Sequence, residues 1–339
     1  MTQEPAGSGG VELGRLAPEH IGSPAYTWTQ GLGWENSGAV MFPGRQEVFD
    51  QDLAQLIRDW VVPGHGPPAG MLTPDASVVT LGSCFARELR DYLAAKGLGA
   101  ANVWVPSGLN NTFALLDFVS WCVTGQETGR GYRYDRDDEG RIREWTPESE
   151  RELYLEGFRT AGAFVFTLGL AEVWQDRETE AVFWRGVPKD VYKADRHVFR
   201  LSTVEENRAN VVRMVELVRS VNASAPVVLT LSPVPLRATF RGISCLTADA
   251  VSKSVLRVAL DLVMSRRLDN VWYWPSFEIV RWLGGHAPWA AFGEDEGKPR
   301  DVNRRLVAAI LDAFIEAFFT PDAVVLLCTE PEAPRRAAG

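Results

Sequence analysis

Val78-Val79-Thr80-Leu81-Gly82-Ser83-Cys84-Phe85-Ala86-Arg87-Glu88-Leu89 reads as a short strand, a tight turn and the start of a helix. Val78, Val79 and Leu81 form an apolar, partly β-branched run that suits a strand buried on both faces. Gly82 permits a sharp reversal without a Cβ clash. Phe85, Leu89 and Leu93 then recur every fourth residue, the spacing of one helix face. Ser83 and Cys84 sit on the turn. A nucleophile there lies at a helix N-terminus, where unpaired N–H groups and the helix dipole favour an anion. That placement predicts a lowered thiol pKa and a site able to hold an oxyanion.

Working outward, the chain alternates between strand and helix patterns. Strands are predicted over 77–81, 102–105, 163–168, 226–231 and 270–274. Helices are predicted over 85–96, 111–123, 204–221, 248–265 and 302–319, the last carrying the stripe Val302, Leu306, Ile310, Phe314, Phe318. Five short apolar strands interleaved with helices predict an α/β fold with a doubly wound parallel sheet. Right-handed crossovers place all strand C-termini on one edge, where ligands bind in such folds.

Residues 1–75 read as an N-terminal extension. It begins Gly/Pro-rich, contains one amphipathic helix candidate over 49–61, and ends in the turn-rich Pro63-Gly64-His65-Gly66-Pro67-Pro68. Residues 76–322 form the main domain, and 323–339 a terminal segment with a disordered tail. The polar stretch 125–152 reads as a surface loop or lid.

Composition excludes several classes. A net charge of -9 argues against a nucleic-acid surface. No run of about 18 apolar residues is present, so no membrane span is expected. The N-terminus MTQEPAGSGG has neither the basic nor the apolar region of a signal peptide. Cys84, Cys122, Cys245 and Cys328 are widely spaced, which argues against structural zinc and a disulfide framework and fits a reducing cytoplasm. A homodimer is left open. Only 4 His are available as a general base, and the 12 Trp are enough to line a cleft.

Each strand is followed by a polar or glycine-bearing segment. These are Gly82-Ser83-Cys84, then Gly108-Leu109-Asn110-Asn111-Thr112, then Gly169-Leu170-Ala171-Glu172, then Ser232-Pro233-Val234-Pro235, and last Pro275-Ser276-Phe277-Glu278. In the predicted fold they converge, bringing together a thiol or hydroxyl, two Asn and two carboxylates. Lys253 and Arg257 share a helix face, and Arg237 and Arg241 follow the fourth strand. A cationic edge of this kind suits a carboxylate or phosphate-bearing substrate.

Gly82-Ser83-Cys84-Phe85-Ala86, in its strand–turn–helix setting, resembles the naming motif of the GSCFA domain family, which is similar to the SGNH/GDSL hydrolases. Asn110-Asn111-Thr112-Phe113-Ala114-Leu115, Thr167-Leu168-Gly169-Leu170-Ala171-Glu172-Val173-Trp174, Ser232-Pro233-Val234-Pro235-Leu236, Ser252-Lys253 and Pro275-Ser276-Phe277-Glu278 resemble the same family, together spanning about residues 76–320. The resemblance implies a three-layer αβα domain with a five-stranded parallel sheet, flavodoxin-like in outline. It also implies ester hydrolysis or acyl transfer on a small-molecule, sugar or carrier-bound acyl substrate, without a metal or organic cofactor.

Laid on the SGNH pattern Gly-Asp-Ser, Cys84 takes the nucleophile position and Ser83 the Asp position. A one-residue shift would make Ser83 the nucleophile instead. Cys84 is favoured, because a thiolate is the better nucleophile near neutral pH. The N–H groups of Cys84 and Gly108 would hold the oxyanion. Ala171 stands where the family pattern has an oxyanion Asn, so Asn110 or Asn111 would substitute. The closing Asp-x-x-His is absent from residues 294–302, which contain no His. His197 or His286 would then serve as base, oriented by Glu172 or Glu278, with Asp301 a further candidate. Lys253 and Arg237 would bind the substrate. The departures also support another reading: a degenerate member that binds a carbohydrate or acylated ligand without turnover. A third reading is a partner-binding component that uses residues 125–152.

Overall fold

The computed structural model describes residues 42–99, 109–126, 134–136, 142–144, 151–293 and 298–325. Its centre is a parallel sheet in the order β1-β4-β7-β8. These strands are Val78–Gly82, Ala163–Leu168, Val227–Leu231 and Val271–Trp274. They are near-continuous apolar runs and almost wholly buried, as a sheet covered on both faces requires. The strand expected over 102–105 lies outside the described residues.

Two hydrophobic clusters, one on each face of the sheet, make three layers. On one face pack α3 (Thr112–Thr124), α4 (Arg151–Arg159), α5 (Val204–Val221) and α6 (Cys245–Met264). On the other pack α1 (Leu53–Leu56, continued by a π turn at Ile57–Val61), α2 (Cys84–Ala95) and α8 (Arg304–Phe318). The short α7 (Ser276–Glu278) runs into a second π turn, Ile279–Leu283. The terminal α9 (Pro321–Val325) follows α8. The helix predicted over 49–61 is broken in three, with a 3-10 turn at Gln46–Asp50 and an Asp52 cap before α1. The end of the N-terminal extension is tied to α8, since Met71 and Leu72 both donate to the Phe318 carbonyl.

Between β4 and α5 the chain makes an excursion that the apolar pattern did not mark. β5 (Glu172–Asp176) and β6 (His197–Leu201) pair antiparallel. Both are short and mix buried with half-exposed positions, so neither reads as a core strand. Polar bonds fix the excursion instead. Arg196 pairs with the buried Asp176 at 2.6 Å. Arg200 grips Glu206 at 2.9 and 2.7 Å. Trp184 Nε1 donates to Asp117 of α3 at 2.8 Å. A small hairpin of β2 (Tyr134–Arg136) and β3 (Ile142–Glu144) also lies within the stretch predicted as a loop.

Candidate active site

The β1–α2 turn is built by a close approach that only glycine allows. Gly82 has φ +123°, and a Cβ there would lie 2.1 Å from the Thr167 carbonyl oxygen of β4. Ser83 follows as the N-cap of α2 and donates its amide to Thr167 O at 3.1 Å. Its side chain does not cap the helix. Ser83 Oγ is buried and has no hydrogen-bond partner among the described residues. Thr167 Oγ1, at the end of the neighbouring strand, is likewise buried and unpartnered.

Gly169 is the second close approach. A Cβ on it would lie 2.8 Å from Asn110 O and 3.4 Å from Ser83 Cβ. The amides of Gly169 and Leu170 both donate to Asn110 O, at 2.9 and 3.0 Å. From α6, Ser252 Oγ accepts from the Ala171 amide at 2.8 Å, and Lys253 Nζ donates to Gly169 O at 2.6 Å. Four of the segments singled out in the sequence therefore touch here: the β1 turn, Asn110, the stretch from Thr167 to Ala171, and Ser252-Lys253.

Cys84, the first residue of α2, points the other way. It is exposed in a groove of about 430 Å³ between α2 and the start of α8, lined among others by Arg87, Glu88, Val234, Lys298, Asp301 and Arg304. The expected lowering of its pKa does not occur. Although one face of the residue is open to solvent, partial desolvation of the thiol pushes the pKa up, and Glu88 and Asp301 add to this against the cations Arg87 and Lys253. The helix N-terminus is thus offset by desolvation and by two nearby carboxylates.

A second cavity, of about 380 Å³, opens on the far side of Asn110. Asn111, Glu172, Trp174, Phe183, Phe199 and Phe240 are among its walls. Glu172 is 4% exposed; one of its oxygens meets Arg241 at 3.4 Å and the other, Oε2, is buried without a partner among the described residues. Asn111 caps α3 through Ala114 N at 2.9 Å and ties its amide to the carbonyls of Phe183 and Trp184.

The remaining predicted residues are placed elsewhere. His197 is buried on β6, accepts the Lys193 amide on Nδ1 at 3.0 Å and meets the Phe183 ring edge-on. His286 stacks on Phe49 at 3.7 Å. Neither histidine lines the Cys84 groove or the second cavity. Glu278 is bound by Arg257 at 2.8 Å and by the Tyr273 hydroxyl, so its carboxylate orients no imidazole. Arg257 is thereby engaged in ion pairs with Glu278 and Asp261. Lys253 is 2% exposed and forms no part of a solvent-facing cationic edge, whereas Arg237 is exposed on the loop after β7. Gly108 lies outside the described residues. The antiparallel pairing of β5 and β6, which walls the second cavity, was not marked in the sequence: Glu172-Val173-Trp174-Gln175-Asp176 does not alternate, and the clearest local signal is the capping pair Thr203/Glu206 that closes the excursion. Among the described residues no cluster of three or more His, Cys, Asp or Glu is arranged to hold a metal ion, and no helix is long and apolar enough to cross a membrane.

Compared with known families, the chain matches the model of the GSCFA family over residues 77–314. No curated protein matches it.

Proposed function

From its membership of the GSCFA family, to which this chain belongs, and from the geometry of the β1–α2 turn, we propose an acyl hydrolase or acyltransferase that works through a covalent intermediate on Cys84. The central domain is read as the SGNH-like three-layer fold with a fifth parallel strand. The observation that carries the proposal is the placement of Cys84. It is a thiol at a helix N-terminus, on the C-terminal edge of a parallel sheet, open to a groove of about 430 Å³. The groove suits an acyl chain, since Phe85, Val234, Val302, Val307 and Leu311 line much of it. The Cys84 amide, with the donor expected from Gly108, would meet the oxyanion. Ser83 is the less accessible nucleophile, because its Oγ is fully enclosed. The substrate is a small-molecule, sugar or carrier-bound acyl compound, and water, a hydroxyl or an amine is the acceptor.

The test is turnover of a series of p-nitrophenyl esters of increasing chain length by wild type and Cys84→Ala. Turnover that Cys84→Ala abolishes supports the proposal. Equal turnover by both proteins rejects Cys84 as nucleophile.

One observation favours a second reading, binding without turnover. Glu172 Oε2 is an unpartnered buried acceptor on the wall of an aromatic cavity. Such an atom suits a ligand that brings a hydroxyl or N–H donor. Saturable binding of a methyl glycoside, with every ester inert, would favour this reading.

A further inference from the structure

The cavity on the far side of Asn110 has a wall that the acyl-enzyme reading does not use. Glu172, the first residue of β5, lines it and is buried. Its Oε2 has no hydrogen-bond partner among the described residues. Its Oε1 meets Arg241 Nη1 at 3.4 Å. That is longer than the roughly 2.7–2.9 Å of a firm charge-assisted bond. Neighbouring arginines of the excursion are held by other carboxylates. Arg196 pairs with Asp176 at 2.6 Å and with Glu178 at 2.9 Å, and Arg200 pairs with Glu206 at 2.7 Å. A carboxylate oxygen taken out of water without a donor is destabilising, and in a native structure it calls for an explanation.

The backbone that presents Glu172 is firmly tied. Just before it, the Ala171 amide donates to Ser252 Oγ at 2.8 Å. The Ala171 carbonyl accepts from both the amide and the hydroxyl of Ser202, each at 2.8 Å. Ser202 Oγ in turn accepts from Asn207 Nδ2 at 2.8 Å. On the other side, Glu172 pairs in register with Leu201 of β6. Such a network fixes the position of a side chain that recognises a ligand.

Three aromatic rings share the cavity wall. Trp174, Phe199 and Phe240 meet pairwise, with ring centroids 5.2, 5.0 and 5.1 Å apart. Phe240, on the loop after β7 and next to Arg241, is 69% exposed, so it reaches both the cavity and solvent. Ring faces are electron-rich and attract cations. A hydroxyl would satisfy Glu172 Oε2 and leave its charge poorly compensated. An ammonium supplies the donor and the charge together. We propose that this cavity binds an organic ammonium, with an N–H donated to Glu172 Oε2 and an apolar or aromatic body against Trp174, Phe199 and Phe240. This rests on the reading above in which the cavity holds a ligand, and it is independent of any chemistry at Cys84.

Two arginines bear on the same cavity and sharpen what Glu172 has to do. Arg185 is on its wall, and Arg241 sits at Glu172 Oε1. Both oppose a cationic ligand, so its affinity depends on the glutamate charge. Glu172→Gln keeps the shape and a hydrogen-bonding carbonyl but removes that charge. The two arginines then disfavour the cation, and a neutral ligand of the same shape loses little by comparison.

The experiment is calorimetric titration of wild type, Glu172→Gln and Trp174→Leu with benzylammonium chloride and with benzyl alcohol, its neutral hydroxyl counterpart. Wild type is expected to bind benzylammonium at one site, about 10-fold or more tighter than the alcohol. Glu172→Gln loses that preference, and Trp174→Leu weakens both probes. Wild type that binds the alcohol as tightly as the ammonium overturns the ligand class without any variant having to fold, and leaves the cavity as a ligand site. A preference for the ammonium that survives in Glu172→Gln overturns Glu172 as the group that confers it. Absence of binding by both probes overturns the proposal, and if a methyl glycoside is inert as well, the binding reading falls with it.

Discussion

Arg281 Nη2 donates to Asp249 Oδ2 at 2.6 Å, and that bond occupies the carboxylate one helical turn from Lys253. Arg281 therefore acts on Lys253 twice, as a nearby cation and as the group that engages its natural counterion. Arg281→Gln removes the first effect and relaxes the second. Both changes raise the Lys253 pKa above about 8. The titration midpoint of the Lys253 amine is expected to move upward, which a pH titration of its side-chain carbon resonance by NMR reads directly. A midpoint that stays or falls would show that Arg281 does not set the charge on Lys253.

Lys253→Met is expected to be at least as stable as wild type at pH 7, by ~1–3 kcal/mol, because it replaces a buried charge with an apolar chain of similar length. The sign follows from linkage. The folded-state pKa of about 8 lies below the unfolded value of 10.5, so the unfolded chain holds the extra proton between them. Wild-type stability therefore rises with pH across that window, and the advantage of the variant shrinks. Urea unfolding of both proteins at about pH 7 and about pH 10 checks this. A large loss of stability at pH 7 would show that Lys253 serves the fold.

Gly82→Ala meets two obstacles, a φ of +123° and a Cβ 2.1 Å from Thr167 O. The β1–β4 register would have to open at the nucleophile turn. Destabilisation well above ~1 kcal/mol is expected, together with loss of activity. Thermal unfolding of the variant measures the first effect and ester turnover the second.

The start of α5 is held by a reciprocal cap in which Thr203 Oγ1 accepts from Glu206 N and Glu206 accepts from Thr203 N. Burial opposes the charge on Glu206, but Arg200 and the Thr203 amide outweigh it and hold its pKa below the ordinary 4.5. Stability from this carboxylate is therefore complete above 4.5 and is lost as pH falls through the lower folded value. Thr203→Ala is expected to cost ~1 kcal/mol in urea unfolding at neutral pH. Glu206→Gln should lose its deficit relative to wild type as the solution is acidified.

Where the chain repeats an apolar pattern, structure could be read from it. Ala163–Leu168 and Val204–Val221 form as the apolar pattern predicts, and the ends of the other described core elements shift by three residues or fewer. The convergence of Ser83, Asn110 and Gly169 was also legible, because a parallel sheet brings its loops to one edge, whereas Glu278, expected beside them, is engaged by Arg257 and Tyr273. Side-chain direction was not legible. Ser83 and Cys84 are adjacent, yet one Oγ is enclosed between strands and the neighbouring thiol faces a groove. The position of His197 was hidden for a related reason. β5 and β6 are set by Arg196–Asp176 and Arg200–Glu206 pairs across the excursion, contacts that leave no periodic trace.

Covalent acylation of Cys84 is tested most directly by intact mass after brief exposure to an activated acyl ester. Wild type, Cys84→Ala and Ser83→Ala would be compared, with peptide mapping of any adduct. One acyl group is expected on wild type and on Ser83→Ala, mapped to Cys84, and none on Cys84→Ala. An adduct that survives Cys84→Ala, or spreads equally over Cys122 and Cys245, would contradict a reactive thiol at the β1–α2 turn.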